Sequence, residues 1–478
     1  MWRGCVVRSG LEHAGRCAGA AVLVPVLLAA LCAPHRAALA SDPLDPRAQR
    51  LIGDRHYTGR GAVKDYVKAF EWLLLAARRG DAAAQFHVGY MYDNAQGVPR
   101  SPTEAARWYR LAAEQGAVEA QFNLALLHGA PGGALRDDAE AARWFRRAAM
   151  RGSLPARVNL GVMYFTGVGV RRNRVDAAEW FRRAAERGNP VAQFNLGIVH
   201  GGGHGVPRDD AEAVEWFRRS ARQEFVPALH ALGAAYDRGV GVAVDRAQAA
   251  QWYRLAAERG SARAQFRLAA LYGGGEGVQR DDAEAVRWLR KAAVQGYAPA
   301  QVNLGLNYDR GIGVAEDDAE AAKWFRQAAE RGNPHAQFNL GSMYDNGEGV
   351  AESDAEAVRL YRAAAAQGHR GAQNALGIMY DTGAGGLPED DREAVRWYRA
   401  AAEQGDMRAQ SNLAAMYDSG RGVAEDDVRA YAWYNLAADR GNREAAKLRA
   451  AVGSRLRAAN IVRAQRLSRA LGRRIRAR

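Results

Sequence analysis

Few residues of this sequence have the types and spacing that chemistry needs. His200 and His204 form an H-x-x-x-H pair, the spacing with which two helical imidazoles can ligate zinc. Gly201, Gly202 and Gly203 lie between them, which argues against helix, and no third ligand is evident. Tyr164 and Tyr236 fill the slot of His200 elsewhere in the chain, so simple substitution explains it better. Asp93-Asn94, Asp345-Asn346 and several Asp-Asp pairs have the residue types of calcium loops. They lack the loop order and its closing bidentate Glu, and helix capping accounts for them. None of Lys64, Lys68, Lys291, Lys323 or Lys447 follows a glycine, so there is no P-loop. No Gly-x-Gly extends to G-x-G-x-x-G, and no G-x-S-x-G elbow occurs. Cys5, Cys17 and Cys32 all precede residue 40, which excludes disulfides, thiolate metal sites and cysteine nucleophiles from everything after it. The chain reads as a non-enzyme without cofactor or metal.

The stronger candidate is a binding ladder. Phe86, Phe122, Phe194, Phe266 and Phe338 share one recurring slot. Asn123, Asn159, Asn195, Asn303, Asn339 and Asn412 share the next. Such a ladder on the inner helices of a superhelix can hold an extended peptide, its amides pairing with the peptide backbone. It can equally be structural, with Phe packing between units and Asn satisfying inter-repeat backbone groups. The regularity favours the structural reading, because a stack needs identical interfaces.

The elements that position this ladder follow from a 36-residue period. Trp72, Trp108, Trp144, Trp180, Trp216, Trp252, Trp288 and Trp324 are spaced 36 apart, Leu360 takes the next slot, and Trp397 and Trp433 continue after a one-residue slip in Gly383–Asp390. A second register of Gly runs from Gly80 to Gly441, with Glu224 as its exception. Each unit reads as two helices. In 333–368, Asn333 caps the first helix, Pro334 sits in its first turn, and Ala336, Leu340, Met343 and Tyr344 share a face. A Gly-rich turn follows, then Ser353 or Asp354 caps the second helix. Asp137–Glu140 and Asp281–Glu284 read as capping boxes. The expected fold is all-α, an αα-solenoid of eleven units. Their bounds are 45–80 and onward in 36-residue steps to 333–368, then 369–405 and 406–441.

The pattern Ala336-Gln337-Phe338-Asn339-Leu340-Gly341, Met343-Tyr344, Gly347-x-Gly349-Val350, Asp354, Ala357 and Gly368 resembles the Sel-one-like repeat, a relative of the tetratricopeptide repeats. The resemblance covers 45–441. It implies a right-handed superhelix that serves as a protein–protein adaptor, and similar bacterial members work in the periplasm or outside the cell in signalling or assembly. Cysteine-rich members with β-lactam activity carry a disulfide in each repeat. This chain departs from them, so that activity is not carried over.

Charge sits at the ends. The formal net charge is +14, yet residues 442–478 hold twelve Lys/Arg against Glu444 alone. A body-wide nucleic-acid footprint is thereby ruled out. Residues 1–40 have the order of a signal peptide: early arginines, an apolar run from Ala18 to Ala33, and an A-x-A site that predicts cleavage after Ala40. An organellar transit peptide is the rival. The expected location is periplasmic or secreted. In 442–478, Leu456, Ala464, Leu467, Leu471 and Ile475 form an apolar stripe. A helix capping the open solenoid end is the first reading, and an anchor through 454–478 on an anionic membrane or polysaccharide the second. The expected function is a scaffold for a protein partner in the bacterial envelope. An envelope hydrolase, or binding of peptidoglycan or acidic polysaccharide, is the alternative.

Overall fold

The computed structural model describes residues 44–477, and the expected signal peptide, 1–40, lies outside them. The described residues form 24 helices and no strand, as the periodicity requires. They fall into two compact units, 44–244 and 245–477.

The first unit holds α1 (Pro46–Thr58), α2 (Tyr66–Arg78), α3 (Ala82–Asp93), α4 (Pro102–Glu114), α5 (Val118–His128) and α6 (Asp138–Met150). It continues with α7 (Leu154–Thr166), α8 (Arg174–Ala185), α9 (Pro190–Gly202), α10 (Asp210–Ala221) and α11 (Val226–Arg238). The second holds α12 (Arg246–Glu258), α13 (Ala262–Gly274), α14 (Asp282–Val294), α15 (Ala298–Asp309), α16 (Asp318–Glu330), α17 (Pro334–Asn346) and α18 (Asp354–Ala366). It ends with α19 (Arg370–Thr382), α20 (Asp391–Ala402), α21 (Met407–Ser419), α22 (Asp427–Ala438), α23 (Arg443–Arg455) and α24 (Ala458–Ala477). Up to α22, odd-numbered helices are the first of each pair and even-numbered helices the second.

Local chemistry sets these limits. Asn333 Oδ1 accepts the Ala336 amide at 3.0 Å, Pro334 opens α17, and Gly347 ends it at φ 71°. In most Gly-x-Gly turns the second glycine is needed for contact as well as for φ. A Cβ on Gly313 would lie 2.2 Å from the carbonyl oxygen of Asp282, at the start of the preceding unit's second helix. The Asp-x-x-Glu segments are only half of a capping box. Asp137 accepts the amides of Ala139 at 3.0 Å and Glu140 at 2.9 Å, but the Glu140 carboxylate accepts the Trp144 indole N–H at 2.8 Å instead of returning to the cap. The Asp137 amide is already bound to the His128 carbonyl at 2.9 Å, so no donor is left for Glu140 to satisfy.

Between repeats, paired alanines bring helices close and the Trp-slot residue reaches back one unit. Leu360 of α18 joins Phe325, Ala328 and Ala329 of α16 and Ala336, Leu340 and Met343 of α17 in one buried cluster. A row of glutamines cross-links the same interfaces. Buried Gln301, Gln337 and Gln373 donate to the carbonyls of Ala293, Ala329 and Ala365 at 3.0, 3.3 and 3.2 Å. Gln367 and Gln404, just past the second helices of the units that hold Gln337 and Gln373, then donate to the oxygens of Gln337 and Gln373 at 2.9 and 2.8 Å. In the first unit, Gln85, Gln121 and Gln193 bond Ala77, Ala113 and Ala185 in the same way.

The C-terminal helix closes the stack. Ala464 and Ser468 of α24 are buried against α22, Leu471 and Ile475 pack on the last cluster, and Asn435 donates to the Ser468 hydroxyl at 3.1 Å.

Candidate partner-binding groove

The ladder residues lie on first helices but do not share one environment. The phenylalanines are packing residues. Phe86 lies 5.8 Å from Tyr109, Phe122 5.7 Å from Phe145 and Phe194 5.6 Å from Phe217, ring centre to ring centre. Phe266 packs at 5.5 Å on Tyr297, the residue preceding the next first helix. Phe338 does both, at 5.8 Å from Tyr361 and 4.7 Å from His369.

The asparagines divide further. Asn123 donates to the Tyr109 hydroxyl at 3.3 Å, and Asn159 to the Pro155 carbonyl in its own helix at 2.9 Å. Asn195 is buried, and Asn412 donates to Asn374 at 3.2 Å. Asn303 is exposed and Asn339 half-buried, and no described residue engages either amide. The inter-repeat backbone bonding considered for the asparagines is carried by the glutamine row one position from the phenylalanines.

Asn303, Phe338 and Asn339 are brought together. With Val302, His335, His369, Asn374 and Ile378 they line an open groove of about 1030 Å³ across α15, α17, α19 and the start of α21. The groove sits where the phenylalanine slot is interrupted. Val302, Asn374 and Ser411 occupy that slot in the units around Phe338. A small or polar residue there leaves unfilled the volume that Phe266 and Phe338 fill in their own units. Phe86, Phe122, Asn123, Asn159, Phe194 and Asn195 belong to the other unit, and Phe266 and Asn412 do not line the groove.

The groove's polar wall centres on two histidines. His369 Nδ1 accepts the Ala372 amide at 3.2 Å and so caps α19. Its other nitrogen therefore carries the proton and donates to His335 Nδ1 at 3.1 Å. Burial, aided by His335 and Arg370, lowers the His369 pKa to about 4, with Asp406 opposing. This cap also bars the pair from cis coordination of a metal, which would need the lone pair of Nε2. Behind the wall, Tyr361 donates to Asp345 at 3.2 Å, and burial pushes its phenol pKa up. Arg310, Arg370, Arg408 and Asp406 also line the groove.

Sequence reasoning missed His335, His369, Asn374 and the three arginines because it sought recurrence. Their signal was the opposite, a break in the period. The H-x-x-x-H pair also needs correction. α9 runs through Gly201 and Gly202, and the chain leaves the helix only at Gly203, φ 60°. His204 then packs edge-on against Phe165 at 5.5 Å. Among the described residues no three His, Cys, Asp or Glu side chains are grouped to hold a metal ion.

Comparison with known proteins agrees with this architecture. The Sel1 repeat model matches eleven stretches, from 46–81 to 408–442. A protective antigen present in uropathogenic Escherichia coli strains, displaying an SLR fold, is 35% identical with TM-score 0.71, covering 90% of this chain and 92% of its own. A Sel1 repeat protein from Oxalobacter formigenes is 32% identical with TM-score 0.56, covering 72% of this chain and 99% of its own. No curated protein matches. Sel1 repeat proteins generally mediate protein–protein interaction, and their solenoid is typically a non-enzymatic scaffold. With the repeat matched from residue 46 to residue 442, the chain belongs to the Sel1 repeat family.

Proposed function

We propose that the chain is an exported scaffold that holds an extended segment of a partner protein in the groove of its second unit. The observation that carries this reading is the interruption of the phenylalanine slot at Val302 and Asn374, beside the unengaged amides of Asn303 and Asn339. A peptide backbone needs donors and acceptors along its length, and side-chain amides supply both. Phe338 and Ile378 give apolar side chains a floor. The cavity volume falls in the range that seats a few residues of an extended chain. Export to the periplasm or beyond rests on the A-x-A pattern ending at Ala40.

The test places a photo-crosslinking side chain at position 339, with a second at position 159 as control. Envelope extract is then compared with purified peptidoglycan and acidic polysaccharide. Crosslinking of one protein at 339 and not at 159, competed by a peptide from that protein, supports the reading. Crosslinking only to glycan, or equal labelling at both positions, overturns it.

A further inference from the structure

The sequence contains no Asp or Glu after Glu444, and α24 carries the consequence on one face. Arg463, Arg466, Arg469, Arg473, Arg474 and Arg476 are all exposed, and none forms an ion pair with a described residue. At about 100° per residue they cover roughly 160° of the helix circumference. Ala464, Ser468, Leu471 and Ile475 occupy the opposite side, facing the last repeat.

This arrangement separates two properties that a basic amphipathic helix usually combines. The apolar stripe is already occupied by the solenoid, so it is withheld from a membrane interior. What remains outward is an arginine face roughly 20 Å long, taking about 1.5 Å of rise per residue. Guanidinium groups match phosphate oxygens two at a time.

We propose that the outer face of α24 docks the protein on the phosphate headgroups of an anionic bilayer, by electrostatics alone and without insertion. The spread of the arginines around the helix favours a plane over a single linear polymer. A linear chain follows one line of the helix, whereas long side chains on both flanks can bend down to a flat surface. The chain itself offers no substitute partner. Residues 41–441 contain as many acidic as basic side chains, and residues 1–40 are basic. No described helix is long and apolar enough to cross a membrane, which fits contact from the surface.

The experiment is co-sedimentation of the full chain with vesicles of phosphatidylcholine alone or mixed with phosphatidylglycerol. Binding is expected only to the mixed vesicles, and it should weaken at least tenfold between about 50 and about 200 mM salt. Reversing three charges, Arg466→Glu, Arg469→Glu and Arg473→Glu, should lower the partition coefficient on the order of a hundredfold. The corresponding lysine variant should keep most of the binding. Both variants should melt with the wild type, because these side chains are exposed and form no ion pair or side-chain hydrogen bond with a described residue. Equal binding to neutral vesicles overturns the proposal. So does unchanged binding after charge reversal, or binding to soluble polyphosphate or heparin with none to mixed vesicles.

Discussion

Gln367 donates its side-chain amide to the oxygen of Gln337 in the same repeat at 2.9 Å, while Gln337 donates to the Ala329 carbonyl one repeat back at 3.3 Å. Three helices are thereby joined through the buried amide of Gln337 and the exposed Gln367. Gln337→Ala removes both bonds, while the Ala329 carbonyl keeps the Gly332 amide at 2.8 Å and the Gln367 amide keeps the Ala363 carbonyl at 3.3 Å. A loss of about 1–3 kcal/mol is expected. Gln337→Leu, which copies the natural Leu229 of the same slot, should cost less because it refills the volume. Urea unfolding of both variants measures the difference. Equal stability of Gln337→Ala and the wild type would show that the glutamine row does not hold the repeats together.

His369 gives the second unit an acid-sensitive joint. Its pKa is lowered from 6.5 to about 4, so between those values the unfolded chain binds more protons than the folded one. Stability contributed by neutral His369 is complete above pH 6.5 and is lost as the pH falls toward about 4. Burial is the main cause of the shift, with the neighbouring His335 and Arg370 adding to it and Asp406 opposing it. Asn333 caps the equivalent helix one repeat earlier without titrating. His369→Asn should therefore melt closer to its neutral-pH temperature at about pH 5 than the wild type does. A parallel acid decline in both proteins would show that His369 does not carry the effect.

Removing α24 tests the cap. Deletion of 458–478 uncovers Leu436, Val452 and the rest of the last cluster, to which α24 contributes Leu471 and Ile475. The melting temperature should fall by several degrees, and amide exchange should accelerate first in α21 and α22. Unchanged protection in those two helices would mean that the solenoid end needs no cover.

The fold was legible because its signals repeat. Trp, Gly and Asn or Asp caps recur every 36 residues, and each names a packing position, a turn or a helix start. The capping boxes were overread, since sequence does not reveal that the Asp137 amide already has a carbonyl partner. The glutamine row stood in plain view at Gln301, Gln337 and Gln373, yet a glutamine on a helix reads as surface until the facing carbonyl is known. The groove was hidden for a different reason. Recurrence marks what all interfaces share, whereas a site requires what one interface lacks. Val302, Asn374 and His369 are visible as departures from the period, but only the packed structure shows that they adjoin one another.

Missing rings at positions 302 and 374 create the proposed partner's seat. Val302→Phe with Asn374→Phe restores the ring that Phe266 and Phe338 supply in the same slot. The decisive measurement is the affinity of this double variant for the partner peptide identified at position 339, by calorimetry, together with its melting temperature. The double variant should melt at or above the wild-type temperature and bind the peptide at least tenfold more weakly. A variant that folds normally and binds the peptide as the wild type does would contradict this.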